Sequence, residues 1–495
     1  MHEDEACPAV SERARRNTGV NGNAVHDIVN GNKRLRGRDC GWHTVHYTDN
    51  CRRAQQMPHL SSDAWPEYST VVTTPPDDTK PLTRRDLLHS ASIVAGVALT
   101  APLAHLLAQA PAIVPSPSSA AMPVAPLDAT KVPGLPSGPL SERSPFETPA
   151  LAPIGVTSGA TNTPHQNLLG TITPSDLHFQ RHHNGIAIID PAKYSLTLHG
   201  LVDRPLRFTL DELKRFPATT HTYFVECAGN GRAAYRSPKP EMTPQDVDGL
   251  TSNSEWTGVL VSTLLREAGV KPAAKWVLAE GGDAAVLSRS IPMEKMRGDA
   301  MIAYAQNGEP VRVANGYPAR LLLPGYEGNT CIKWLRRLEV IDQPNMSRDE
   351  TVKYTDPLPD GTSRQFSFVM DAKSIITSPA FPERLHGAGW RPVTGIAWSG
   401  RGKIAGVDVS VDGGRTWHSA EILGAILPYA HTRFQYMWQW KGEAATLMSR
   451  ARDETGYVQP TLAEYRRVRG PGTDYHFNAI RSWTVAADGV TGFGG

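Results

Sequence analysis

The feature that most constrains this chain is a short extended apolar run that ends in a cysteine. Phe224-Val225-Glu226 leads into Cys227, and a turn of alanine, glycine and asparagine then runs to Arg232. Free cysteine is among the most buried residue types, so Cys227 alone could be a small core residue. Thiolates that react or bind metals need positively charged, partly open surroundings, and Arg232 offers such a charge five residues later. The fold must either bury this strand end or open it at a site, and the other segments decide which.

The start of the chain is polar and irregular. Residues 1–80 show no periodic apolar pattern, and we expect them to be disordered. They contain three of the five cysteines, Cys7, Cys40 and Cys51. Met57 follows these cysteines and is an alternative start codon.

Residues 81–110 have the pattern of a twin-arginine export signal. The pair Arg84-Arg85 precedes an apolar run over residues 91–107, and small residues at 108–110 form a cleavage site. A membrane-spanning helix needs about 20 apolar residues, so no membrane span is predicted, although an uncleaved anchor is the alternative. The pattern predicts a periplasmic protein that is loaded with its cofactor before export.

The segment that follows, residues 111–160, is rich in proline, alanine and serine, which is typical of a linker or extended arm. Cleavage after Ala110 would leave Cys227 and Cys331, too few thiols for a disulfide framework. The chain has no C-x-x-C-H sequence, so we expect no covalently bound haem in it, and it has no glycine-rich nucleotide loop. Its net charge of +2 argues against nucleic acid as the main partner.

At 495 residues the chain is longer than one core usually supports, so two domains are expected. Residues 161–371 predict an α+β domain, because strand and helix signals follow one another in mixed order. The expected strands cover residues 194–200, 223–227, 276–279 and 320–323, and the expected helices cover residues 209–216, with a capping box, and 262–268, closed by Gly269.

Three further clusters of polar residues accompany the cysteine turn. Residues 179–183 bring one arginine and two adjacent histidines into a loop, which could be a solvated polar loop or part of a metal site. Arg320 and Lys333 place cations at both ends of a strand and turn, either as surface charges or as a grip on a phosphate. Tyr354 lies in a polar loop at the end of this domain.

Together these clusters resemble the sulfite oxidase family of molybdenum enzymes, from about residue 161 to residue 490. The Cys-Ala-Gly-Asn turn matches the family's ligand motif, which implies that Cys227 binds molybdenum beside the dithiolene of one molybdopterin. A soft, deprotonated thiolate suits that role. The resemblance therefore implies a molybdenum-molybdopterin cofactor.

The resemblance also implies the other site residues. The family's substrate-side arginines and active-site tyrosine correspond to four catalytic residues: Arg181, Arg232, Tyr354 and Arg469. Contacts to the pterin and its phosphate are implied for eight residues: Phe179, Arg181, His183, Asp283, Asn315, Arg320, Cys331 and Lys333. Paired guanidinium groups would hold a sulfur oxyanion through bidentate hydrogen bonds.

The sequence departs from the animal sulfite oxidases in two places. Asn315 stands where they have a phosphate-side histidine, and residues 249–256 replace the segment that carries their pocket tryptophan. These differences predict a wider pocket. The cysteine context and the residues 249–256 are instead similar to the molybdenum subunits of sulfane dehydrogenases, which pair with a c-type cytochrome and oxidise a sulfane sulfur held on a carrier protein.

Residues 372–495 predict an all-β domain. Val407, Val409 and Val411 alternate with polar residues before the turn signal Asp412-Gly413-Gly414, and Thr416-Trp417 is expected to resume the strand. An aromatic stripe follows, which could pack in the core or present a ligand platform: Phe434, Tyr436, Trp438 and Trp440. Short strands at this spacing indicate an immunoglobulin-like sandwich, and the resemblance implies that this domain forms a homodimer.

The prediction is thus a periplasmic molybdenum oxidoreductase that oxidises carrier-bound sulfane sulfur and passes electrons to a c-type cytochrome. A sulfite dehydrogenase that acts on free sulfite is the alternative within the family. A periplasmic sulfoxide reductase shares the signal and the cysteine motif but usually lacks the second domain. In a non-catalytic binding module, Cys227 would be structural.

Overall fold

The computed structural model describes residues 136–358, 360–470 and 472–495. The predicted leader, the export signal and residues 111–135 of the predicted linker lie outside these ranges. These described residues belong to one compact unit. Among the helices that the described residues form, none has the length and apolar character needed to cross a membrane.

The first domain contains many strands and few, short helices. Its strands are β1 (Ala152–Ile154), β2 (Ala160–Asn162), β3 (Gln180–Arg181), β4 (Leu196–Gly200), β5 (Leu206–Phe208), β6 (Thr219–Glu226), β7 (Thr251–Leu260), β8 (Trp276–Gly281), β9 (Ser288–Pro292), β10 (Met301–Gln306), β11 (Glu309–Pro310), β12 (Arg320–Leu322), β13 (Leu335–Ile341), β14 (Asp356–Pro357) and β15 (Ser363–Arg364). Its helices are α1 (Leu210–Leu213), α2 (Arg232–Arg236), α3 (Pro244–Asp248), α4 (Val261–Ala268), α5 (Met293–Arg297) and α6 (Arg348–Thr351).

Two five-stranded sheets form the body of this domain. One has the order β5-β4-β13-β8-β9, in which β4 and β13 are parallel; the other has the order β11-β10-β7-β6, with β12 paired to β10. Strands β4, β7, β8, β12 and β13 each contribute buried apolar side chains to one continuous core. The site lies at the end of β6, where this core opens.

Local sequence signals explain several boundaries. The Thr209 side chain accepts from the Glu212 backbone N–H and Glu212 reaches back to Thr209, which is the predicted capping box. Helix α1 nevertheless ends at Leu213, earlier than predicted. Helix α4 ends at Gly269, which has a φ of +70° as expected of a C-terminal glycine cap.

The predicted linker boundary is wrong at its C-terminal end. Strand β1 lies within residues 111–160 and pairs with β2, which in turn pairs with β3. Residues 152–160 therefore belong to the folded domain, and they bring β3, which carries Arg181, beside Gly159.

The second domain is built almost entirely from strands. Its elements are β16 (Lys373–Ser378), β17 (Gly389–Trp398), β18 (Ile404–Ser410), β19 (His418–Ser419), β20 (Glu421–Leu423), β21 (Thr432–Trp440), β22 (Ala445–Asp453), α7 (Leu462–Arg469), β23 (Ser482–Val485) and β24 (Thr491–Phe493). They form a four-stranded sheet, β16-β17-β21-β20, and a five-stranded sheet, β19-β18-β22-β23-β24.

The aromatic stripe lies on β21 and packs in the core. Phe434, Trp438 and Trp440 are buried in the cluster between the two sheets, and Tyr436 packs against it. The turn after β18 uses glycines with positive φ at Gly413 and Gly414, as predicted, although the strand resumes only at β19. The aromatic residues are therefore structural.

The two domains interlock around β6. Phe224 in β6 donates its backbone N–H to the carbonyl of Tyr429, 2.8 Å away, in the second domain. After α7 the chain returns to the first domain, where the N–H of His476 donates to the carbonyl of Ala228 at 2.7 Å. The second domain therefore contributes residues next to the cysteine turn.

Candidate active site

One cavity collects most of the residues that the sequence singled out. Ten of them line it: Phe179, Arg181, His183, Cys227, Asp283, Asn315, Arg320, Cys331, Lys333 and Tyr354. They come from segments that are far apart in the sequence. The structure thus brings the predicted cofactor residues together, while their individual roles stay predictions.

Cys227 lies at the mouth of the turn that follows β6. Strand β6 pairs with β7 along its whole length, and the N–H of Cys227 extends the pairing by donating to the carbonyl of Leu250 at 2.9 Å. Asn230 closes the turn, because its N–H donates to the Cys227 carbonyl at 2.9 Å. The half-buried thiol therefore points from a fixed backbone into the cavity.

The turn also depends on a glycine. Gly231 has a φ of +90°, and a Cβ at that position would lie 2.8 Å from the Arg481 side chain and 3.0 Å from Asp248. A larger residue would be strained in this backbone and would displace its neighbours. The spacing between Cys227 and Arg232 is therefore set by backbone geometry.

Glu226, the residue before the cysteine, fixes the turn through buried hydrogen bonds. Its carboxylate accepts from the Asn230 amide at 2.9 Å, from the Trp398 indole at 2.7 Å and from the Lys373 ammonium at 3.3 Å. Lys373 also lies 2.5 Å from the buried carboxylate of Asp248. This buried ionic cluster joins β6 to β16 and β17 of the second domain.

The loop that carries Arg181 and the two histidines is held by Lys333. The Lys333 ammonium donates to the Arg181 carbonyl at 2.9 Å and to the Ala314 carbonyl at 3.0 Å, and it lies 2.9 Å from Nδ1 of His182. Burial and the charge of Lys333 lower the pKa of His182 to about 3. His182 is therefore neutral and accepts a hydrogen bond from the Lys333 ammonium, so it has a supporting role in this loop.

His183 and Tyr354 meet across the cavity. The Tyr354 hydroxyl lies 3.0 Å from Nε2 of His183. Burial, reinforced by the charge of Arg181, lowers the pKa of His183 to about 4, so the ring is neutral, and its tautomer decides whether Nε2 accepts from the hydroxyl or donates to its oxygen. Burial raises the pKa of Tyr354 well above its ordinary value, and its φ of +51° is unusual for a tyrosine. Tyr354 is held as a protonated donor beside Cys227.

The cavity wall is positively charged. Among the lining residues, Arg181, Arg320 and Lys333 carry positive charge, and Asp283 is the carboxylate that faces them. Burial lowers the pKa of Arg320 to about 10 and holds the pKa of Lys333 well below its usual range, with Arg320 adding repulsion at Lys333. A bound anion would relieve this repulsion.

Several buried polar atoms in the wall have no hydrogen-bond partner. They are Nε of Arg320, Nε2 of His178 and both polar side-chain atoms of Asn329. Buried polar groups are normally paired, so unpaired ones that line one cavity indicate a polar ligand. A phosphate-bearing pterin offers both the negative charge and the donor and acceptor groups that this wall lacks. The residues present fit such a cofactor.

The cysteine thiol responds to competing influences. Burial raises the pKa of Cys227 above its ordinary value, whereas the backbone N–H of Gly229 and the charges of Arg181 and Arg232 act in the opposite direction. A metal ion would replace the proton and remove the cost of the buried thiolate. Within the described ranges, no group of three or more His, Cys, Asp or Glu side chains is arranged to hold a metal ion.

Two predicted catalytic arginines do not line the cavity. Arg469 lies in α7 with its guanidinium 3.0 Å from Asp356 and 3.1 Å from Asp371, and it is buried between the domains. Arg469 is not among the residues that line this cavity, and each of its two terminal nitrogens donates to one carboxylate, so its catalytic role stays a prediction. Arg232 begins α2 and lies over the cysteine turn, where its charge acts on Cys227 and its guanidinium donates to the Asp474 carbonyl.

The sequence did not predict several residues that lie in or near the cavity wall. His178, Asn329 and Trp334 line the cavity beside the predicted residues. Glu327 is buried 3.1 Å from Arg289 and 3.4 Å from His476, and although burial alone would raise its pKa, these partners hold it low. Asn329 precedes Cys331 by two residues, so its position near a predicted cofactor residue could have indicated that it lines the cavity. No local pattern marked His476.

The comparisons with known proteins agree with this geometry. Residues 183–348 match the family model for the oxidoreductase molybdopterin binding domain, and residues 364–482 match the model for the Mo-co oxidoreductase dimerisation domain. The chain resembles the crystal structure of the sulfane dehydrogenase SoxCD from Paracoccus pantotrophus, with a TM-score of 0.67 and 43% identity over 80% of this chain and 99% of that chain.

Curated relatives give the same picture at lower identity. The mitochondrial sulfite oxidase of Drosophila melanogaster is 32% identical over 59% of this chain and 56% of its own length. Sulfite oxidase of Gallus gallus is 30% identical over 60% of this chain and 70% of its own. A nitrate reductase of Phaseolus vulgaris is 32% identical over 56% of this chain but only 35% of its own. The chain thus spans from about a third to 70% of the length of these relatives.

Proposed function

This chain belongs to the sulfite oxidase family of molybdopterin oxidoreductases, and on that basis we propose that it is the molybdenum subunit of a sulfane dehydrogenase. In this proposal it oxidises a sulfane sulfur bound to a carrier protein during thiosulfate oxidation. The observation that carries the proposal is the cavity itself, where one cysteine thiol faces a cationic wall with unpaired polar atoms. The 43% identity to SoxCD supports the choice of substrate.

The residues of the wall would hold the cofactor in place. Cys227 would supply the protein's sulfur ligand to the metal. Lys333, Arg320 and Asn315 would bind the phosphate and the pterin, since they present two positive charges and an amide at one end of the cavity. When bound, the molybdenum centre would supply oxygen-atom transfer to sulfur and accept two electrons. Positioning by these side chains would carry much of the catalysis.

The substrate would lie between Arg181 and Tyr354. Arg181 would bind an oxyanion on the sulfur group, because it lines the cavity, one of its terminal nitrogens is held by the Gly159 carbonyl and its own carbonyl is fixed by Lys333. Tyr354 would keep its proton and donate it as a hydrogen bond, since its pKa is raised by burial. His183 would hold the tyrosine hydroxyl in register.

The remaining features of the proposal concern the cell and the partners. The export signal predicts a periplasmic protein. Because the chain has no haem-binding sequence, electrons would pass to a separate c-type cytochrome. The match to a dimerisation domain supports a homodimer formed through residues 372–495, with the immunoglobulin-like arrangement predicted for that domain.

A sulfite dehydrogenase that acts on free sulfite is the second candidate. It is favoured by the similarity to sulfite oxidases at 29 to 32% identity. The two candidates share the same cavity and the same cofactor. They differ in how much of the substrate lies outside the cavity.

Metal analysis and kinetics test the proposal in sequence. Purified protein should contain molybdenum, and Cys227→Ser should lose it while keeping the fold of the native protein. With a cytochrome acceptor, the protein should oxidise a carrier protein that bears a cysteine persulfide faster than it oxidises sulfite. Brisk oxidation of sulfite with no response to the loaded carrier would favour the second candidate. Protein without molybdenum would contradict both.

A further inference from the structure

A segment of the second domain crosses over the cysteine turn and carries an acidic residue to it. This crossing segment, Thr473-Asp474-Tyr475-His476, is fixed at one end by the hydrogen bond from the His476 N–H to the Ala228 carbonyl, 2.7 Å long. At the other end, the Tyr475 N–H donates to the hydroxyl of Thr473. The Tyr475 ring packs on the Tyr354 ring, with centroids 5.2 Å apart. The segment therefore lies at the edge of the site in a defined position.

Arg232 is held by this segment. Its Nε and one terminal nitrogen donate to the backbone carbonyl of Asp474 at 3.2 and 2.9 Å, and its guanidinium lies 5.4 Å from the centre of the Tyr475 ring. It also lies directly over the turn, since a Cβ built at Gly229 would be 3.0 Å from its terminal nitrogen. The backbone of the crossing segment thus positions the Arg232 guanidinium over Gly229, which follows Cys227 by two residues in the turn.

The Asp474 carboxylate changes the charge at this point. It forms a salt bridge with Arg236 and lies 3.7 Å from Nε of Arg232. All three side chains are about half exposed, with 41 to 51% of their surface accessible. Arg232 and Arg236 would attract a small dianion, but the Asp474 carboxylate already interacts with both of them.

We infer that Asp474 is a specificity-determining residue that weakens the binding of small free dianions at Arg232. This inference rests on the proposed function and deepens it. A dianion such as sulfite or sulfate must compete with the Asp474 carboxylate for Arg232. A sulfane group tethered to a carrier protein carries less charge at the reacting sulfur and gains its affinity from the carrier, so the carboxylate opposes it less. Asp474 is thus a positioning residue that acts through Arg232.

The substitution Asp474→Asn isolates the charge. It keeps the backbone carbonyl that positions Arg232 and removes the negative charge. Because half-exposed ion pairs contribute up to about 1 kcal/mol, the holoenzyme variant should bind sulfate about threefold to fivefold more tightly and show a similar fall in KM for sulfite, with kcat unchanged. Asp488→Asn removes the same charge from an exposed pair with Arg384 and serves as the control.

Two further variants fix the route of the effect. Arg236→Gln removes the other partner of Asp474, so the carboxylate interacts with Arg232 alone. Sulfate binding should then weaken about twofold. In an Arg232→Met background, Asp474→Asn should no longer improve sulfate binding, because the competing partner is gone. If Asp474 were purely structural, Asp474→Asn would not strengthen sulfate binding, and its effect would not depend on the presence of Arg232.

The measurements separate this inference from the proposed function. Calorimetric titration of the holoenzyme with sulfate does not require turnover, and steady-state kinetics with sulfite and with persulfide-loaded carrier does. If the protein oxidises neither donor but sulfate affinity responds to Asp474→Asn as described, the proposed function falls and the role of Asp474 stands. If the protein oxidises a donor and sulfate affinity in Asp474→Asn equals that in Asp488→Asn, the inference is overturned.

Discussion

Lys333 combines desolvation with nearby positive charge, and its hydrogen bonds to two backbone carbonyls and a neutral histidine offset part of this cost. Its pKa is held well below the usual range by burial and by Arg320, while Asp283 acts in the opposite direction. Such a lysine is costly to a protein unless an anion completes the site. The burial of this lysine next to another positive charge therefore indicates that the site binds an anionic ligand.

Replacing this lysine should empty the cavity of cofactor. Lys333→Met removes a charged donor that would face the phosphate, and truncating one partner of a buried charged pair costs about 2–5 kcal/mol, so purified protein should retain at least about tenfold less molybdenum. Molybdenum per protein, measured by mass spectrometry, checks this. Lys193→Met, at a lysine with 84% of its side chain exposed, is the control. Equal molybdenum in both variants would remove Lys333 from the cofactor site.

Buried histidines predict how stability depends on pH. Burial lowers the pKa of His165 to about 4 and that of His178 to about 3. The unfolded chain binds protons on these residues near pH 6.5, whereas the folded chain does so only near pH 4 or below. Stability is therefore fully present above pH 6.5 and falls as the pH decreases toward 4.

His165 allows a direct test of this dependence, because it does not line the cavity. His165→Gln should remove about 1–2 kcal/mol of the stability lost between pH 7 and pH 5, so the unfolding midpoint should vary less with pH. Urea denaturation at both pH values measures this. The exposed His386→Gln should keep the pH dependence of the native protein. A wild-type slope in His165→Gln would contradict the role assigned to burial.

The sequence predicted the site residues that local motifs mark. Cys227, Arg320 and Lys333 stand in short patterns that the family resemblance assigns to the cofactor site, and all three line the cavity. Arg232 and Arg469 could not be placed in this way. Their positions depend on carboxylates such as Asp474 and Asp371, whose approach is decided by how the two domains pack.

At the scale of elements, strands β6 and β16 are joined by buried charges. Lys373, at the start of β16, lies 3.3 Å from Glu226 at the end of β6 and 2.5 Å from Asp248 at the end of α3. All three side chains have 2% or less of their surface exposed. The cluster fixes the strand end that carries Cys227.

Breaking the cluster should be strongly destabilising. Lys373→Met leaves two buried carboxylates without their cation, and removing one partner of a buried ion pair costs about 3–5 kcal/mol. The free energy of unfolding from denaturant titration should fall by that amount. Lys403→Met, at an exposed lysine in the same domain, should change it little. Adding Glu226→Gln to Lys373→Met should recover part of the loss, and a Lys373→Met protein as stable as the native one would show that the carboxylates are protonated.

The periodicity of apolar residues predicted several strands correctly, whereas the composition of residues 111–160 did not predict where the linker ends. The strands at Trp276 and Arg320 and the aromatic strand β21 follow from alternating or continuous apolar residues. Strand β1 was missed because its alanine and proline are typical of a linker, and it forms through pairing with β2 rather than through its own propensity.

At the scale of the whole molecule, the second domain is part of the site rather than an appendage. The Trp398 indole binds Glu226, and His431 lies 3.0 Å from the hydroxyl of Thr251 at the start of β7. The crossing segment adds Tyr475 and its neighbours at the cysteine turn. A division of the chain at residue 371 therefore separates groups that must act together.

This interlocking predicts that cofactor release and unfolding occur together. Trp398→Phe removes a hydrogen bond to a buried carboxylate, which contributes about 1.5–3 kcal/mol, so it should lower the midpoint for loss of sheet structure and the midpoint for molybdenum release by the same amount. Circular dichroism and metal analysis across one thermal ramp measure both. Trp417→Phe makes the same change at a half-buried tryptophan whose indole binds the Gly414 carbonyl in the second domain alone. Because that contact does not reach the first domain, it should shift both midpoints much less, whereas separate transitions in the native protein would show that the domains unfold independently.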